Sequence, residues 1–192
     1  MADAPRDDVL RRAVLSTRTV LQPIGIDQLD LPTPCASWTL RQVVNHLIGG
    51  ARWYSSCALT GQAPSTADDP TLADSDLLAT YVQVSDEVCN AFGAEGILDT
   101  VIVMPTGPMI GRAVRALAAL DAFTHGWDVA KATGQSTDLN PGLAAELLVA
   151  AQDAIGNTMR ATDGSAPFAP AVVASERASR ADQLAAFLGR GQ

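Results

Sequence analysis

Apolar residues recur at helical spacing along most of the chain. Val9, Leu10, Ala13, Val14 and Val20 share one face of a helix predicted from about Asp8 to Leu21. Asp7 and Asp8 stand at the end where a helix favours negative charge, and Pro23 and Gly25 stop it. Thr39 and Gln42 have the spacing of a capping box, so a second helix starts at Leu40. Its stripe of Leu40, Val43, Val44, Leu47 and Ala51 runs toward Ala58 and halts before Gly61. A third helix is expected from Ser75 to Phe92, with Gly93 as its stop, and a fourth from about Ile110 to Thr133, closed by Gly134. The fourth is apolar on nearly every side, as expected of an element packed between neighbours. Asn140 and Pro141 open a fifth that carries to about Met159, and Ser179 and Gly189 bracket a short last helix from Arg180 to Leu188. The one strand-like signal is Val101-Ile102-Val103, within Ile97 to Met104, an extended segment or hairpin arm terminated by Pro105-Thr106-Gly107-Pro108. That is too little for a large sheet. The pattern therefore predicts an all-α bundle of four substantial helices plus ancillary pieces, in a single domain over 1–192.

Composition narrows the partners. The 192 residues carry 13 basic and 21 acidic side chains, a formal charge of −8 that repels nucleic acid in the absence of a basic patch. The acidic N-terminus lacks the features of a secretory signal, and Arg115 and Asp121 break the longest apolar stretch, so a soluble cytoplasmic protein is expected. The three cysteines, Cys35, Cys57 and Cys89, contain no CxxC pair, which argues for reduced thiols over a disulfide framework or a cysteine-based zinc site. Cys57 and Cys89 read as small core residues. A chain this long buries roughly 70% of its unfolded surface without staples, so a metal here would serve chemistry more than folding.

Both histidines, His46 and His125, fall inside predicted helices. On the fourth helix Ile110, Val114, Leu117, Asp121, His125, Asp128 and Ala132 form one stripe, so two carboxylates and an imidazole interrupt an apolar seam. Buried carboxylates need a neutralising partner. Lys131, Arg112 and Arg115 point to other sides of the same helix, which leaves a base from another helix or a divalent cation. Asp121 and His125 have the i, i+4 spacing that stacks two ligands on one helix face, and His46, on the inward edge of the second helix, supplies a natural third. A hydrogen-bonded core network stands beside this reading. Asp128 reads either as the acceptor of an imidazole N–H or as the partner of a neighbouring helix, and Asn45 is similar. Trp38, Trp53 and Trp127 read as packing groups more than as a substrate clamp. Cys35 lacks a histidine beside it in sequence to make it a nucleophile.

Several of these residues fall in recognisable runs: Leu31-Pro32-Thr33-Pro34-Cys35-x-x-Trp38-Thr39, Asn45-His46-Leu47, Pro105-Thr106-Gly107-Pro108, Asp121-x-x-x-His125-Gly126-Trp127-Asp128 and Leu184-x-x-Phe187-Leu188-Gly189-Arg190. With them the chain resembles the DinB-like metal-binding four-helix bundle superfamily, in the branch of the mycothiol-dependent maleylpyruvate isomerase N-terminal domain. The resemblance implies a divalent metal, zinc or nickel, held by His46, Asp121 and His125, and a low-molecular-weight thiol such as mycothiol as cosubstrate. It also implies S-transferase or isomerase chemistry on an electrophile, and homodimers occur among similar proteins. Asp121 departs from the glutamate of the isomerase by one methylene, and the chain lacks a substantial further domain after its bundle, so the isomerase's own substrate does not carry over. A metal-binding or interaction module without turnover is the alternative, and a metal-free structural dimer a third.

Overall fold

The structure, a computed structural model, describes residues 8–35, 38–65, 77–162, 166 and 168–191. Its helices are α1 (Val9–Leu21), α2 (Leu40–Thr60), α3 (Leu77–Phe92), α4 (Gly111–Ala132), α5 (Pro141–Ala154) and α6 (Arg180–Phe187). The expected start of α3 at Ser75 lies outside the described residues, as does Asp7. Local chemistry sets most boundaries. Asp8 caps α1 by accepting from the Leu10 and Arg11 N–H groups. The Thr39–Gln42 box opens α2, with Gln42 Oε1 accepting from the Thr39 N–H at 2.8 Å. Asn140 caps α5, and Ser179 with Asp182 makes a second capping box at α6.

Two boundaries differ from the pattern. The fifth helix stops at Ala154 instead of about Met159, because Ile155 turns extended ahead of Gly156, and Asn157–Met159 forms a separate short 3-10 turn. The run Pro105-Thr106-Gly107-Pro108 does not end the extended segment. It turns it, so that β1 (Val101–Met104) pairs antiparallel with β2 (Gly107–Ile110) in the register Val101↔Ile110 and Met104↔Gly107. Proline is tolerated in β2 because Pro108 faces Val103, whose own N–H and C=O turn the other way to bond Gly61 and Ala63. Ile102 and Met104 point inward, and Val101 and Val103 stay exposed.

Helices α1 to α4 form the bundle: α1 packs on α4, α2 lies between α3 and α4, and α1 also touches α3. Leu10, Val14, Leu47, Ile48, Tyr81, Val84, Val88, Val114 and Phe123 are buried between them. α5 and α6 pack on one another outside this unit, α5 against α1 and α6 against α4. This surrounds α4. Its residues are buried without a break from Ala122 to Ala130, which explains why the helix is apolar on nearly every side. Contact with α1 is close at Gly126, where a Cβ would fall 2.6 Å from Thr17 Oγ1. That hydroxyl is already committed to the Ala122 carbonyl at 2.8 Å, so α1 and α4 are locked together one residue past His125. No helix among the described residues is long and apolar enough to cross a membrane.

Candidate metal centre

The bundle brings His46 from α2 to the Asp121–His125 pair of α4. His46 Nε2 lies 3.2 Å from Asp121 Oδ1, and His125 Nε2 lies 3.6 Å from the same oxygen. One ligand atom from each of the three falls within 4.8 Å of those of the others. The imidazole rings meet edge to face with centroids 4.6 Å apart. α2 reaches α4 closely here because position 50 is glycine: a Cβ would stand 3.2 Å from Asp121 Oδ2. This approach lets an aspartate reach across to His46.

The second nitrogen of His125 is committed. Its Nδ1 is 3.0 Å from Asp128 Oδ2, and Asp128 is wholly buried. An ionised carboxylate only accepts, so His125 Nδ1 carries the hydrogen and the Nε2 lone pair faces Asp121. A lone pair and a carboxylate oxygen 3.6 Å apart repel unless something positive lies between them. A proton or a divalent cation satisfies that demand. Two ligands bound to zinc at about 2.0–2.1 Å in tetrahedral geometry sit roughly 3.3 Å apart, close to the separations of 3.2 and 3.6 Å found here. Donor chemistry and spacing therefore fit a divalent cation.

Asp121 is electrostatically suited to the same role. Burial pushes its carboxyl up, but the hydrogen bond with His46 and the electrostatic pull of the neighbouring His125, His46 and Arg190 side chains outweigh it and hold the group below the usual carboxylate range. His46 and Asp121 side chains retain 37% and 26% exposure against 8% for His125, so the site opens on the His46 and Asp121 side. Behind Asp121, Tyr54, Tyr81, Ser85 and apolar neighbours leave a cavity of about 10 Å³, room for one water at most. A guest larger than water enters from the open side.

The loop before α2 covers part of the site. Thr33 ties it together, its hydroxyl donating to the carbonyls of Cys35 at 3.2 Å and Trp38 at 2.9 Å. The Trp38 ring packs 4.8 Å from that of His46 and lies stacked 5.8 Å from that of His125. Trp38 is thus a packing group whose partners are the two imidazoles, which no periodicity in its loop reveals. Trp127 is buried in α4, and Trp53 sits partly buried against Tyr54. Asn45 is buried, and its Oδ1 has no hydrogen-bond partner among the described residues.

Asp128 plays both parts open to it: besides accepting from His125, it pairs with Arg190, just beyond α6. Arg190 is the missed partner of the buried stripe. Arg112 and Arg115 pair elsewhere, with Asp99 and Asp8. Cys35 comes to the same corner, its Sγ 3.9 Å from Arg190 Nη2. Burial pushes this thiol up, Arg190 offsets only part of that, and Asp128 and Asp121 add to it, so Cys35 remains a protonated thiol near neutral pH. Cys35, His125 and Asp128 could also group around a cation, but the Arg190 guanidinium already occupies that position's carboxylate. Cys57 and Cys89 are buried, as core residues.

A family model described as the mycothiol maleylpyruvate isomerase N-terminal domain matches residues 10–130, a span that contains His46, Asp121 and His125. Two uncharacterized proteins of Mycobacterium tuberculosis, from different strains, are each 36% identical over 184 residues, covering 94% of this chain and 94% of theirs. Among solved structures, the mycothiol-dependent maleylpyruvate isomerase superposes with a TM-score of 0.56 at 14% identity, and a histidine-to-alanine mutant of that enzyme with 0.54 at 12%. Each alignment covers 66% of this chain and 61% of the other, so the chain spans about three fifths of those proteins and the likeness is one of fold.

Proposed function

Because this chain belongs to the mycothiol maleylpyruvate isomerase N-terminal domain family, with a DinB-like bundle fold, we propose that His46, Asp121 and His125 hold a divalent cation, zinc or nickel, at which a low-molecular-weight thiol such as mycothiol is activated. The observation that carries this reading is the convergence of two imidazole Nε2 atoms and one carboxylate from two helices, with the other nitrogen of His125 already satisfied by Asp128. Three protein ligands leave a coordination position open, as catalytic sites do and sealed structural ones do not. A cation bound there lowers the pKa of water or a thiol and so favours the thiolate near neutral pH.

The remaining work falls to side chains. Asp121 offsets one of the cation's two charges, which leaves a net attraction for an incoming thiolate. His46 and Asp121 flank the open side, while Trp38 packs against both imidazole rings. The reaction class this suits is addition of the thiolate sulfur to an electrophilic carbon, in which the C–S bond forms as that carbon's π bond opens and the thiol proton passes to solvent. Protonation of the adduct completes S-transfer, whereas rotation about the opened bond followed by expulsion of the thiolate re-forms the double bond as its isomer. Its electrophile is set by surfaces beyond the three ligands.

The test is titration of the cobalt-substituted protein with low-molecular-weight thiols. The expected result is a new intense thiolate-to-cobalt absorption that saturates at one thiol per metal. A cobalt spectrum indifferent to every thiol supports a metal-binding module without turnover. A protein that takes up no cobalt leaves only a core network in which His46 is hydrogen-bonded to Asp121 and His125 to Asp128.

A further inference from the structure

We propose that Arg190 is a positioning residue for this centre, acting through Asp128 to fix the His125 imidazole; as a statement about a metal site it rests on the reading given under Proposed function. The geometry begins at the end of α6. There the Gly189 N–H bonds the Ala186 carbonyl at 3.0 Å and the Arg190 N–H bonds the Ala185 carbonyl at 2.9 Å, the paired bonds of a Schellman turn. Gly189 has φ +86°, and a Cβ there would stand 2.6 Å from Ala169 Cβ, so glycine alone fits.

The turn sends Arg190 back against α4. Its Nε and Nη2 face the two oxygens of Asp128 at 3.4 and 3.3 Å, a forked grip that a lysine cannot reproduce. Nη1 is spent on the Leu188 carbonyl at 3.3 Å, which anchors the guanidinium to its own turn. One residue before Asp128, the Trp127 indole N–H donates to Asp182 of α6 at 2.8 Å. Helix α6 and the turn that follows it thus clip α4 at two successive residues.

The carboxylate is wholly buried, and charge in such a place persists only when paired. Arg190 supplies the pair from outside the bundle. With both oxygens held, Asp128 presents Oδ2 to His125 Nδ1 in one orientation, which fixes both the ring's rotation and which nitrogen is free toward Asp121. Without Arg190, Asp128 loses the grip that sets its plane, and the ring loses its reference.

The experiment compares wild type with Arg190→Ala, Arg190→Lys and Asp128→Asn in the full chain, with circular dichroism to confirm helical content. Zinc affinity is read by competition with a chromophoric chelator, and in the metal-free protein long-range ¹H–¹⁵N spectra recorded above the imidazole titration report which His125 nitrogen carries the hydrogen. Expected are a roughly 10–100-fold loss of affinity in Arg190→Ala and Asp128→Asn, an intermediate loss in Arg190→Lys, and an Nδ1–H tautomer in wild type that becomes mixed in Arg190→Ala. Unchanged affinity and unchanged tautomer in a folded Arg190→Ala variant overturn the proposal while leaving the metal site standing. A wild type that binds no zinc, with the tautomer still dependent on Arg190, overturns the metal reading and leaves the positioning role intact.

Discussion

Replacing His125 with alanine is expected to abolish stoichiometric metal loading while leaving a folded helical protein. The variant removes one of three ligands, leaving His46 and Asp121, whose 3.2 Å contact persists as a simple hydrogen bond. Loss of an outer partner of a ligand costs roughly 10–100-fold in affinity, and loss of the ligand itself costs more. Asp128 keeps its Arg190 partner, so no buried charge is stranded. A cation present at 100 times its dissociation constant adds about 2.7 kcal/mol to stability. Metal should therefore raise the melting temperature of wild type and leave that of His125→Ala in place. Elemental analysis after dialysis, paired with melts at matched free zinc, checks both. A Cys35→Ser variant serves as the control and should load normally, because the thiol lies on the Asp128 side of the ring. Full loading of His125→Ala would show that the cation sits elsewhere.

Trp127→Ala is expected to be the most destabilising single truncation in α4. The indole is 1% exposed, in the middle of the unbroken buried run of that helix. Large aromatic-to-alanine truncations in cores cost about 3–5 kcal/mol, a third or more of the roughly 5–15 kcal/mol that holds a typical domain together. Trp127→Phe keeps most of the volume and loses only the N–H donated to Asp182, worth about 1.5–3 kcal/mol for a bond to a charged group and less here because Asp182 is partly exposed. Urea denaturation followed by circular dichroism should rank wild type, then Trp127→Phe, then Trp127→Ala, with the larger step at the second replacement. A loss under about 1 kcal/mol for Trp127→Ala, below the usual range for such cavities, would mean that α6 does not pack on α4 as described.

Features that depend on a few neighbouring residues were legible in the chain itself. The capping box at Thr39, the Ser179 cap, the Asn140 cap with Pro141, and the stop at Gly61 are local hydrogen-bond chemistry, and the structure forms each of them. The i, i+4 pair Asp121 and His125 was legible for the same reason. What escaped depended on the third dimension. Proline ordinarily ends a strand, and Pro108 is accommodated only because its opposite residue spends its own hydrogen bonds on Gly61 and Ala63. Ile155 and Met159 continue the apolar period of α5, yet the backbone leaves the helix at Ile155.

The polar stripe shows the same division. The demand for a counter-charge follows from burying Asp128, and the exclusion of Lys131, Arg112 and Arg115 follows from helix geometry. That Arg190 answers the demand, from 62 positions away, becomes visible only when the turn at Gly189 brings it back. Likewise, nothing local to the loop before α2 indicates that Trp38 lies against both imidazoles.

The most direct test of the site is anomalous diffraction from crystals grown with zinc, recorded on both sides of the zinc absorption edge. One peak is expected within about 2.0–2.2 Å of His46 Nε2, an Asp121 oxygen and His125 Nε2, with His125 Nδ1 still bonded to Asp128. A map with no peak there, both imidazoles resting on Asp121, or a peak on the Cys35 side of His125, would contradict it.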